Sequence, residues 1–89
     1  MSLLDILIIN ETDTLIDLCK ACIKTTPLHP AATISLPLTA RSWIHGHSAN
    51  GGFVITRYDN TFTKKTWGIF ELTLEKTEHN FIFHLTQKK

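Results

Sequence analysis

His45-Gly46-His47 is the most chemically suggestive triplet in this sequence. On an extended segment, residues i and i+2 point to one side, so both imidazoles can grip one metal ion. Gly46 between them permits close backbone approach, and Gly51-Gly52 follow shortly after. A third ligand would come from His29, Asp59, His79 or His84, and nothing in the spacing selects one. Against the metal reading stands a plainer one, a polar loop that happens to carry two histidines.

Cys19-Lys20-Ala21-Cys22 is a C-x-x-C. Redox motifs of this kind sit at a helix N-terminus, where the dipole lowers the first thiol's pKa. Here the pair falls well inside a run with helical periodicity, on its apolar stripe, where cysteine packs as a small hydrophobe. A structural zinc site would want a second pair at finger-like spacing, and H-x-H does not supply it. Two cysteines are also too few for a disulfide scaffold of the secreted type.

Basic and aromatic residues interleave at Arg57, Tyr58, Lys64, Lys65 and Trp67. On a hairpin these side chains would track a nucleic-acid backbone and stack bases. No recognised nucleic-acid motif accompanies them, and the net charge is only +1. Lysines on such a hairpin also serve to protect an edge strand from mispairing. Trp67, Ile69 and Ile82 form the other feature of weight. If the C-terminal strands pair as below, these three make an apolar strip on an outer sheet face, which marks a contact surface or a dimer interface. Trp43 and Arg41 would join it from a neighbouring loop, with Arg57 at the rim, a composition typical of protein–protein hot spots. Glycine-rich phosphate loops, H-E-x-x-H, G-x-S-x-G and paired catalytic carboxylates are missing from the sequence. No cofactor is implied.

The elements that must position these residues read as follows. Asn10 to Lys24 places Leu15, Ile16, Leu18, Cys19, Cys22 and Ile23 on one wide stripe at helical period. Asn10 or Thr12 would cap this helix, acids fall early and lysines late, and Pro27 ends it. Residues 3–9 suit either a buried strand or a short helix. Thr33 to Leu36, flanked by Pro30 and Pro37, reads as an edge strand. Arg41 to Gly52 reads as a loop with some strand around Trp43. Phe53 to Tyr58 is a strand ending at an Asp59-Asn60 turn. Thr66 to Glu75 and Asn80 to Gln87 alternate at period 2 and should pair. A loop at Lys76 to His79 would set Leu74 opposite Phe81, Leu72 opposite Phe83, Phe70 opposite Leu85 and, outside, Glu71 opposite His84. That acid–imidazole pair has no nucleophile beside it and reads as a surface contact worth about 0–1 kcal/mol.

At 89 residues, with 43% hydrophobic and 19% charged residues, the chain reads as one complete globular domain over 1–89. Its longest apolar-rich run, Leu3 to Ile9, is interrupted by Asp5 and falls far short of the roughly 20 residues that span a bilayer. No basic segment precedes it as in a signal peptide, so the cytoplasm is the default compartment. Residues 1–17 hold four acids and no lysine or arginine, leaving the rest of the chain basic. The expected architecture is α+β, one amphipathic helix packed on an antiparallel sheet of four or five strands. The expected function is a non-enzymatic protein-binding module, a small inhibitor, adaptor or regulator of the kind phages and mobile elements encode. It would cover a partner's surface with Trp67, Ile69, Ile82, Trp43, Arg41 and Arg57, the homodimer being the self-associating form. Two other readings stand beside it: a nucleic-acid binder using Arg57, Lys64, Lys65 and Trp67, and a metal-binding protein or enzyme using His45 and His47.

Overall fold

The computed structural model describes residues 3–20 and 25–88. Short stretches of alternating apolar and polar residues, rich in Thr, Ile and Phe, dominate these segments, and each forms a strand. In chain order they are β1 (Leu3–Asn10), β2 (Ile16–Lys20), β3 (Thr25–Leu28), β4 (Thr33–Thr39) and β5 (Trp43–Ser48). Then come β6 (Gly51–Tyr58), β7 (Thr61–Gly68), β8 (Phe70–Lys76) and β9 (Phe81–Gln87). They build two sheets, a four-stranded one in the order β4-β1-β9-β8 and a five-stranded one in the order β3-β2-β5-β6-β7. All neighbours are antiparallel except β1 and β9, which run parallel.

The helix expected over 10–24 does not form over 10–20, its last four residues lie outside the described residues, and the α+β class is wrong: the described residues are all-β, with no helix among them. Two physical reasons are visible. The supposed stripe is not one buried face, since Leu15 is 45% exposed while Ile16 and Leu18 are buried at period 2 on β2. The supposed caps do other work. Asn10 is fully buried, and its side chain donates to the Thr14 and Leu28 carbonyls and accepts from the Thr12 amide and hydroxyl. A side chain that satisfies backbone groups of a buried turn competes directly with helix formation.

The inner faces meet in one core. Ile6, Ile8 and Leu38, with Phe70, Leu72, Phe83 and Leu85, come from the four-stranded sheet. Ile16, Leu18, Leu28, Ile44, Phe53 and Ile55 come from the other. Gly46 faces inward on β5, where its cross-strand partner Phe53 lays a ring over it and leaves no room for a Cβ. Arg57 is also inside and fully buried. Its Nη1 donates to the Leu38 carbonyl at 2.7 Å and its Nε to the Asp59 carbonyl at 2.6 Å, so one guanidinium ties β6 to β4 in the opposite sheet.

Residues 3–9, which by sequence suit either a strand or a short helix, form a strand that lies inside its sheet, between β4 and β9. Several expectations hold. The strand expected over Thr33 to Leu36 lies at an edge, though it runs on through Pro37 to Thr39; Pro27, expected to end a helix, sits instead in the edge strand β3. The turn at Asp59-Asn60 forms, with Asp59 at φ 54°. Others shift. The 41–52 loop is mostly strand, β5 leading through a tight Ala49-Asn50 turn into β6. The continuous strand expected over 66–75 breaks at Gly68, where φ is +72°, and the chain leaves one sheet for the other. The β8–β9 register moves by two residues, pairing Leu74 with Phe83 and Leu72 with Leu85 around a loop at 77–80. A two-residue shift keeps every apolar side chain on the core face, so the alternation alone could not choose between the two registers.

Candidate functional site

The outer face of the five-stranded sheet gathers most of the candidate residues. Because β5 alternates, Trp43, His45 and His47 point outward while Ile44 and Gly46 point to the core. Pairing sets His47 between Asp17 on β2 and Gly52 on β6, and Gly52 in turn against Trp67 on β7. The next row sets His45 between Cys19 and Val54, with Lys65 beyond. Gly52 leaves a gap in the first row, and the Trp67 indole leans across it, so that a Cβ on Gly52 would lie 2.8 Å from Trp67 Cζ2. This brings Trp67 against His45, with ring centroids 5.5 Å apart. His45 also meets Trp43 at 6.5 Å and His47 at 5.4 Å. Trp43 and Trp67 each remain 38% exposed, large for indoles on a sheet face. At the centre, His45 Nε2 is shielded from water and has no hydrogen-bond partner.

The sequence-derived sets divide differently. Of the contact residues, Trp43 and Trp67 come together on this face, and Arg41 is exposed in the turn that leads into β5. Ile82 lies on the outer face of the other sheet, beside Leu7 and Glu75. Ile69 sits at the crossing between sheets, half-buried against the core. The expected Trp67–Ile69–Ile82 strip therefore does not exist, because the chain changes sheet between Trp67 and Phe70. Arg57 is no rim residue: it is spent inside the sandwich.

The nucleic-acid set is divided by the same alternation. Lys65 and Trp67 point outward, whereas Lys64 shares the inward-facing side of β7 with Phe62 and Thr66. Lys64 enters an open cleft of about 280 Å³ between β7 and β8, with Thr66, Glu71, Leu72 and Lys88. Arg57, Lys64 and Lys65 thus do not make one surface. The cysteine motif also loses its helix. Cys19 is buried on β2 opposite His45 and is not a free thiol, and Cys22 lies outside the described residues. Among the described residues, no three metal-ligating side chains are assembled into one site.

One constellation escaped the sequence reading. His84 on β9 donates from Nδ1 to Glu11 Oε2 and from Nε2 to Glu75 Oε1, the latter at 2.8 Å. The expected partner Glu71 instead faces Thr86. Both carboxylates favour the imidazolium and raise the His84 pKa above 6.5, the Glu11 hydrogen bond most. Glu11 gave no signal in the sequence because it lies 73 residues away and arrives only through the parallel β1–β9 pairing.

Comparison with family models, with curated proteins and with solved structures finds no match for this chain. No helix among the described residues is long and apolar enough to cross a membrane.

Proposed function

We propose that this protein is a non-catalytic protein-binding module that covers its partner with the outer face of the five-stranded sheet. The observation that carries this reading is the pair of indoles, Trp43 and Trp67, held half-open on a rigid face around His45. Tryptophan side chains in such a setting supply most of the affinity of a protein contact, because they bury a large area with few rotatable bonds. Lys65 lies two residues from Trp67 on the same face of β7 and Arg41 is exposed in the turn before Trp43, so the matching surface would have an apolar centre and acidic groups at that side. A catalytic reading has less support. The imidazole–carboxylate cluster at His84 uses both ring nitrogens on carboxylates, and the described residues set no nucleophile beside it. The cytoplasm is the compartment this reading assumes.

The test is co-elution from nuclease-treated cell extract, followed by light scattering. Wild-type protein should elute with a stoichiometric second protein. Trp43→Ala and Trp67→Ala should each lose it, and Arg41→Glu/Lys65→Glu should weaken it more at low salt than at high salt. Retention of the partner by all three variants would refute the assignment of this face. A species of twice the 10.1 kDa chain mass with no other protein present would replace it with a homodimer.

A further inference from the structure

The outward face of β5 carries a second property that does not depend on what protein meets it. We infer that His45 and His47 form a bidentate site for a divalent transition-metal ion of the zinc class. The argument begins with the strand. Period 2 sends both imidazoles to the same side, and the inward Gly46 between them is held in place by the Phe53 ring, so the local backbone is fixed. The ring centroids are 5.4 Å apart. Two imidazoles bound through one nitrogen each to a tetrahedral zinc, at Zn–N distances of about 2.0–2.1 Å, have centroids roughly 5 Å apart. The unliganded pair already stands near that separation.

The second observation is independent of the spacing. His45 Nε2 is buried and unpartnered, although a shielded imidazole nitrogen without a hydrogen bond or ligand is costly. The surrounding rings hold it there: Trp43, His47 and Trp67 all lie within 6.5 Å, centroid to centroid. None of these rings offers an oxygen acceptor, whereas a borderline-soft cation is a good match for imidazole nitrogen. Because no third protein ligand is assembled among the described residues, water completes the coordination on the His47 side, once the ion has displaced the rings that cover His45 Nε2. The ion is thus exchangeable, and the fold does not require it.

Calorimetry with zinc alone, on chain purified without a polyhistidine tag, tests this. One equivalent should bind with an affinity in the micromolar range. His45→Gln and His47→Gln should each weaken it by roughly tenfold or more, since lost outer-shell support alone costs that much at other metal sites. His29→Gln, which alters an exposed histidine outside β5, should bind as wild type does. No heat of binding up to about 1 mM zinc would overturn the proposal. So would undiminished binding in the His45→Gln/His47→Gln double variant. If a variant fails to fold, nitrogen NMR of the wild-type imidazoles decides: zinc must move the resonances of His45 and His47, and a response confined to His29, His79 or His84 refutes the site. Loss of partner capture in the tryptophan variants tests the protein-binding reading separately, because those variants keep both histidines.

Discussion

Gly46 has no side chain because the Phe53 ring already fills the space a side chain would take. The sequence reading credited this glycine with backbone freedom for a loop, but its reason is packing inside a strand. Gly46→Ala should therefore destabilise the fold by roughly 1–3 kcal/mol, the usual range for forcing extra volume into a tight core, measured by urea unfolding. A companion Phe53→Leu substitution should recover part of the loss. Arg57 shows the same limit of residue-level reading. Arginine is read as a surface residue by default, and nothing local marks this one as the bridge from β6 to the Leu38 carbonyl. Hydrogen bonds to charged groups contribute about 1.5–3 kcal/mol each. Arg57→Met, which keeps the aliphatic volume, should thus cost on the order of 3 kcal/mol by the same measurement. His84 makes a prediction of opposite character. Its pKa is raised in the folded state, so the Glu11–His84–Glu75 clamp contributes fully below pH 6.5 and is lost as pH rises through the higher folded value. The gap in melting temperature between wild type and His84→Gln should be widest in mild acid and close in alkaline buffer. A gap independent of pH would mean that the ring acts by packing alone.

At the scale of strands, alternation was legible and its interruptions were not. The strand nature of β6, β8 and β9 and the edge position of β4 follow from period 2 and from proline's missing donor, whereas the twin histidines read as loop residues and only the structure sets them outward on β5. Three things were hidden. The 10–24 segment reads as a helical stripe by sequence, and what decides against it over 10–20 is the buried Asn10 turn and the pairing of β2 between β3 and β5, neither of which the periodicity shows. The β8–β9 register has two solutions that expose nothing apolar. Gly68 converts one apparent strand into two that belong to different sheets. The last of these removed the expected contact strip and left Trp67 with new neighbours, which is why half of the candidate face was legible and half was not. Gly68 also has a direct test. A Cβ there would meet the Asn50 carbonyl oxygen, and the positive φ disfavours any L side chain. Gly68→Val should lower the urea midpoint clearly more than Thr73→Val, a change to an exposed position on β8.

For the molecule as a whole, β9 is the element on which closure depends. It lies between β1 and β8 and contributes Phe83 and Leu85 to the core. Phe62 from β7 packs its ring on Phe81 and Phe83 across the gap between sheets, at 4.9 and 5.4 Å. A chain truncated after Asn80 should therefore lose near-ultraviolet circular dichroism from both sheets together, and retention of the Trp43 and Trp67 signals would show that the five-stranded sheet stands alone. The same two-layer plan sets how the gene can change in length. Each strand carries core residues on one side and solvent or site residues on the other, so one added codon inside β5 would turn Ile44 outward and a histidine inward. An added codon at the exposed Glu78-His79 would lengthen only a loop. A library of single-codon insertions should thus survive in narrow windows between strands and fail inside them, and the Trp43–His45–His47 spacing within β5 would be among its most rigid traits.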